Sequence, residues 1–165
     1  MSVRTRTYVR TVNPREQGDI GERAAAAWLL TEGAHVAIPF GHSPDWDLLA
    51  EIDRVLYRVQ VKTSSCFIRG RWSVTLCTRG GNQSWNGLVK RLDPQAYDFL
   101  FVLVGDGRQW FIPSRELGGS GVMLGGPKYA SFEVERGRPI ADGGVALARI
   151  ASARRDVRVV KGGGL

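Results

Sequence analysis

The sequence predicts an α/β fold with one mixed central sheet flanked by helices. Three observations carry that expectation. An alanine-rich helical stretch lies near the N-terminus, alternating segments follow it, and the run Phe99-Leu100-Phe101-Val102-Leu103-Val104 is apolar without a break. A continuous run of that length fits a central strand covered on both faces. Helix, then strands, then mixed elements fit layers packed on one sheet.

Residues 1–12 read as an arm or an edge strand. Asn13-Pro14 starts a helix: an asparagine side chain caps it, and proline takes the first position, where no amide is missed. The helix should run to about Glu32, where Gly33 can end it in a left-handed conformation. Its second half, Ala24 to Leu30, is apolar on nearly every side, which predicts a buried helix. His35–Phe40 is a short strand broken by Gly41-His42-Ser43-Pro44. Asp47–Ile52, Val55–Thr63 and Trp72–Thr78 alternate, the last with Trp72, Val74 and Leu76 on one face. Residues 79–98 are polar and irregular, with a short helix near Asp93-Pro94. Gln109–Ile112 returns beside the central strand through Gly105-Asp106-Gly107. Beyond Pro113 the chain is glycine-rich.

Composition narrows the function. The 165 residues are 43% hydrophobic, enough for a packed core. No run approaches the roughly 18 apolar residues of a membrane span, and the Arg-rich start lacks the apolar segment of a secretory signal. Cys66 and Cys77 are the two cysteines; they match no zinc spacing and suggest a reducing compartment, so a cytoplasmic protein is expected. Lys+Arg number 23 against 16 Asp+Glu, a net charge of +7, which points to a polyanionic partner. The basic residues gather at Arg4–Arg10, at Arg69, Arg71 and Arg79, and from Arg149 to Lys161.

The most informative stretch is residues 44–62. Folded as a hairpin about Asp53-Arg54, it sets Ile52 opposite Val55, Ala50 opposite Tyr57 and Leu48 opposite Val59, all on one apolar face. The other face carries Glu51 with Leu56, Leu49 with Arg58, and Asp47 with Gln60. Lys62 follows Gln60 on that face because side chains alternate. A slip by one residue mixes the faces, so the pattern supports the register. The turn itself lacks the glycine usual in two-residue hairpins. A carboxylate, an amide and an ammonium thus converge at one hairpin end. Asp47 and the Gln60 carbonyl oxygen are hard donors suited to magnesium. Taken alone, Gln-x-Lys on a strand is also compatible with solvated surface.

Pro44-Asp45-Trp46-Asp47 followed by Gln60-Val61-Lys62, with Gly21-Glu22 on the preceding helix, resembles the PD-(D/E)XK nuclease superfamily. The likeness is nearest to its group I intron-associated, homing-endonuclease branch and more distant to archaeal Holliday-junction resolvases. It covers about residues 14–112. It implies a restriction-endonuclease-like core over residues 1–117, N-terminal arm included. Residues 118–165 then form a glycine-rich, basic extension that belongs to the same domain or to a subunit interface. It also implies an Mg²⁺-dependent DNA endonuclease, site-specific on duplex DNA, with Mn²⁺ as a substitute ion. Asp47, Gln60 and Glu22 would hold the metal, and Lys62 would orient water and offset charge. The alternatives are a junction-selective nuclease and an inactive DNA-binding module. Gln60 departs from the Asp or Glu of most members, which removes one negative charge. Asp45 competes with Asp47 for the motif, and register favours Asp47.

Arg79, Asn82, Gln83, Trp85, Lys90 and Arg91 mix cations, amides and an aromatic ring in one polar stretch, and are expected to contact DNA. A core-anchored Trp85 in an ordinary polar loop is the other reading. Cutting both strands of a duplex would call for a homodimer or homotetramer. Neither a Gly-x-Ser-x-Gly nucleophile elbow nor a P-loop is present. His42 reads as a loop residue.

Overall fold

A computed structural model describes residues 13–41, 45–79 and 89–134. The expected N-terminal arm and the basic tail from Arg149 lie outside these residues.

Helix α1 spans Pro14–Thr31. The Asn13 side chain accepts the Arg15 amide hydrogen at 3.1 Å, with proline at the first turn. Its end is a Schellman closure. Gly33, at φ 84°, donates to the Leu30 carbonyl, and Ala34 donates to that of Leu29. The expectation of burial on nearly all sides is corrected. Gly21, Ala25, Trp28 and Leu29 are buried, whereas Ile20 and Leu30 are exposed. One face of the helix meets the sheet, and small alanines fill the flanks without needing cover.

Short β1, His35–Ala37, leads to the hairpin of β2, Leu48–Ile52, and β3, Val55–Ser64. The register pairs Leu48 with Val59, Ala50 with Tyr57 and Ile52 with Val55, as the alternation requires. The turn takes two left-handed residues without glycine, Asp53 at φ 51° and Arg54 at φ 63°. The twist of the strands demands that geometry, and strand pairing outweighs its local cost.

From β3 the chain leaves the main sheet. β4, Phe67–Ile68, and β5, Arg71–Thr75, form a hairpin, and β6, Cys77–Arg79, pairs with β7, Val89–Arg91. The expected single strand from Trp72 to Thr78 is therefore two, parted at Leu76, although Trp72, Val74 and Leu76 do share one buried cluster. At Asp93 to Ala96 there is a turn rather than the expected short helix.

The chain returns as β8, Phe99–Val104, parallel to β3, and β9, Gln109–Pro113, antiparallel to β8. β10, Gly121–Leu124, pairs with β5, and β11, Glu133–Val134, pairs with β9. The main sheet thus has the order β1-β2-β3-β8-β9-β11, and β10-β5-β4 form a second, three-stranded sheet.

β8 explains why two layers are needed. Phe99, Phe101 and Leu103 pack with Trp28 and Leu29 on the α1 side. Leu100, Val102 and Val104 pack with Trp72, Val74, Val122 and Leu124 on the other. Asp98 pins the start of β8 to β3. Its carboxylate accepts the Arg58 amide at 2.8 Å and the guanidinium at 3.2 Å, while its own amide donates to the Arg58 carbonyl. That fixes which β8 residues lie beside Gln60 and Lys62. No helix among the described residues is long and apolar enough to cross a membrane.

Candidate active site

The site begins just ahead of β2. Trp46 packs with the core on the far face of the sheet, while Leu48 is buried against the α1 side. Asp47 lies at that crossing. Its amide donates to the Val59 carbonyl at 2.9 Å, continuing the ladder. One step further, the Val61 amide donates to Asp47 Oδ2 at 2.7 Å. A side chain stands in for a strand carbonyl, which fixes the carboxylate against β3.

Gln60 completes that arrangement. It is buried, 6% exposed, and its Nε2 donates to the same Oδ2 at 2.6 Å and to the Val61 carbonyl at 3.3 Å. Two donors on Oδ2 leave Oδ1 of Asp47 and Oε1 of Gln60 without a donor among the described residues. An ionised acid at position 60 could not donate and would repel Asp47 instead. The glutamine therefore suits this geometry with no ion present.

Lys62 follows on the same face as Gln60, as their β8 partners Val102 and Leu100 show. Burial lowers its pKa, and Asp47 pulls it back up. Asp47 is raised, chiefly by burial, against the lowering effects of the Val61 amide, Lys62 and Gln60. Glu22 comes from α1. Burial raises its pKa first, and the charge of Asp47 raises it further, so the two carboxylates feel each other. α1 comes close to β3 at Gly21, where an added Cβ would overlap Thr63 Oγ1 and stand 3.2 Å from Val61 Cγ1. Sequence reading marked Gly21 beside Glu22 but not this contact, which depends on a partner about forty residues away.

The fit to a divalent cation rests on these donors. Among the described residues, no group of three or more His, Cys, Asp and Glu is placed to hold a metal. The set here is two carboxylates and an amide oxygen, which are hard ligands. Glu22 and Asp47 are partly buried and mutually repelling, a situation a cation relieves.

This has a measurable consequence. Carboxylates whose folded pKa is raised keep their protons longer folded than unfolded. Stability should fall as pH rises from the ordinary carboxylate range through the raised values. Thermal melts in EDTA should show that decline. Magnesium should remove it, and Asp47→Asn should flatten it and abolish the magnesium response. A magnesium shift that survives in Asp47→Asn would exclude Asp47 as a ligand.

Of the expected DNA-contacting residues, Arg79, Lys90 and Arg91 belong to the β6–β7 ribbon, with Thr78 paired to Lys90 and Cys77 to Arg91. Asn82, Gln83 and Trp85 lie outside the described residues, as does His42. Asp45 lies within them, but the carboxylate that meets Gln60 is that of Asp47.

The sequence profile of the PD-(D/E)XK endonucleases matches residues 12–124. The chain belongs to this family. PD-(D/E)XK nucleases generally use divalent metals, and the family implies a DNA substrate. Among solved structures, the fold resembles that of I-Ssp6803I, a bacterial homing endonuclease. The TM-score is 0.65 at 20% identity, over 87% of this chain and 99% of that one. No curated protein matches the sequence. The match to the family spans α1, the β2–β3 hairpin, β8, β9 and β10, and so includes every residue of the site.

Proposed function

We propose that this PD-(D/E)XK endonuclease is a magnesium-dependent enzyme that cuts duplex DNA at a specific sequence, in the manner of a homing endonuclease. The observation that carries the reading is the shared Oδ2 of Asp47. It accepts from Gln60 and from the β3 backbone together, which leaves Oδ1 of Asp47 and Oε1 of Gln60 without a donor among the described residues, and Glu22 is near enough for the charge of Asp47 to raise its pKa. Glu22, Asp47 and Gln60 are the residues that would hold the ion. A bound divalent cation supplies charge relief at the phosphate and a more acidic water. Lys62 holds the attacking water by hydrogen bond and offsets the charge that builds on the phosphate oxygens. Asp47 keeps the ammonium in place by charge. Gln60 keeps Asp47 from turning away. The β6–β7 ribbon and residues 80–88 supply contacts to bases and phosphates. Two cuts in a duplex call for two such sites, so the reading includes a homodimer or homotetramer.

Incubation of the chain with a diverse DNA library and Mg²⁺, followed by sequencing of the ends, tests this. One recurring cut sequence is expected. Cutting confined to four-way junctions would instead establish a structure-selective nuclease, and binding without cutting in both Mg²⁺ and Mn²⁺ an inactive module.

Gln60→Glu separates the roles of the glutamine. It replaces a charge-assisted hydrogen bond with repulsion, so the metal-free chain should lose about 1.5–3 kcal/mol. Magnesium should restore more stability than it adds to the wild type, because a third carboxylate then faces the ion. Melts in EDTA and in Mg²⁺ measure both effects. An unchanged melt in EDTA would mean that the Gln60–Asp47 bond contributes nothing.

A further inference from the structure

The β4–β5 hairpin leaves two large apolar side chains in solvent. Phe67 is 52% exposed and Ile68 47%. Ile68 belongs to neither core. They lead into a tight turn in which Arg69, at φ 51°, and Gly70, at φ 77°, are left-handed, a geometry with little slack. Arg69 and Arg71 are exposed beside them. Adjacent exposed apolar side chains rimmed by polar or charged residues mark interaction surfaces, whereas single ones do not.

The hairpin is also stiffly mounted. Phe67 leans on Trp72, with ring centroids 4.8 Å apart, and the buried indole donates to Asp106 Oδ2 at 3.3 Å. Its base is tied to the end of β3: the Ser64 hydroxyl donates to the Ser73 carbonyl at 2.5 Å and accepts the Cys66 amide hydrogen at 3.2 Å. Ser73 in turn donates to the Cys66 carbonyl. β3 is the strand that carries Lys62. Phe67 is five residues beyond it, at most about 17 Å along an extended chain. That reach corresponds to about five base pairs of duplex.

We propose that this hairpin is a wedge for the DNA substrate. Ile68, which shares a face of the hairpin with its cross-strand neighbour Arg71, enters a base step within a few base pairs of the scissile phosphate and unstacks it, while Phe67 braces the tip against Trp72 and Arg69 and Arg71 hold the phosphates on either side. The occupant follows from the pairing of apolar tip with cations: arginines flanking the tip suit a polyanion and would oppose an equally basic second copy of the chain. Proteins that distort DNA use the same combination of apolar wedge and basic flank. The inference rests on the nuclease reading for the position of the scissile bond.

The test is a binding comparison in EDTA, which requires no cutting. One probe is a short matched duplex, and the other is the same duplex with a single mismatched pair. A wedge gains where stacking is already weak, so the wild type should prefer the mismatch by about tenfold. Ile68→Ser, which touches neither core, should lose that preference and keep its affinity for the matched duplex within about twofold. Arg69→Ala should weaken both complexes equally. Ile68→Ser retaining the preference would overturn the proposal. So would a change in its sedimentation state, which would make the patch a subunit contact. Absence of cutting in Mg²⁺ alongside an intact mismatch preference would count against the nuclease reading and leave the wedge standing.

Discussion

Replacing Lys62 with alanine should reduce DNA cleavage about a thousandfold, near 4 kcal/mol of transition-state stabilisation, and leave DNA affinity within about threefold. The ammonium is half-buried on the sheet face beside Gln60, where burial strengthens its interaction with any negative charge in front of it. A charge that acts on the phosphate as it becomes more negative affects the rate more than the binding. Affinity is expected to come mainly from the other cations of a chain of net charge +7. Lys62→Arg should not restore the rate. A planar fork carries its charge differently, and it cannot occupy the same position beside Asp47. The wild-type rate should also fall at alkaline pH sooner than an ordinary lysine would dictate, because the folded pKa of Lys62 is lowered. Asp47 should respond as well, since Lys62 is one of the groups that hold its pKa down. In Lys62→Ala the pH dependence of magnesium binding should therefore move upward. Single-turnover cleavage and binding titrations on the same duplex measure all of this. Normal cutting by Lys62→Ala would remove this side chain from the mechanism.

The hairpin that makes the site was legible because two constraints agree on one register. Leu48, Ala50 and Ile52 need Val59, Tyr57 and Val55 opposite them to close an apolar face, and that choice alone sets Asp47 beside Gln60. It prevailed over the unfavourable turn residues Asp53 and Arg54. β8 was legible for a similar reason: six consecutive apolar residues have no place but between two layers. What covers those layers was not legible. β4, β6 and β7 have two or three residues each, too few to show a period, and they exist because a neighbouring strand offers them hydrogen bonds. β10 lay in a stretch whose glycines suggest loops. Gly121 is a glycine for another reason: a Cβ there would stand 2.9 Å from the Val74 carbonyl oxygen of the paired strand. Residues 121–124 and 133–134 pair with β5 and β9, so part of the glycine-rich stretch belongs to the sheets. Within the site, residue types were readable, but bonding roles were not. The donation from Gln60 to Asp47, and the use of Asp47 as an acceptor for the Val61 amide, depend on how the chain enters β2.

The approach of α1 to β3 predicts a stability loss that a second substitution should reverse. Gly21→Ala should destabilise the fold by about 1–3 kcal/mol, although alanine is the better helix former by about 1 kcal/mol. The added methyl would occupy the place of Thr63 Oγ1, with Val61 Cγ1 close on the other side, and Gly21 is itself buried in the helix face. Threonine is stiff about its first side-chain torsion, so the hydroxyl cannot simply swing aside. Among the described residues that hydroxyl is buried without a hydrogen-bond partner, so nothing is lost when it is removed. Thr63→Ala alone should therefore cost little beyond a small cavity. Combined with Gly21→Ala it should recover most of the lost stability, a coupling of about 1–2 kcal/mol in a double-mutant cycle. Glu22 is the next residue on α1, and any displacement of the helix carries it away from Asp47. Cleavage by Gly21→Ala should thus fall further than the melt suggests, and return in the double variant. Additive melts with no rescue of cleavage would show that the helix reaches the site without depending on this contact.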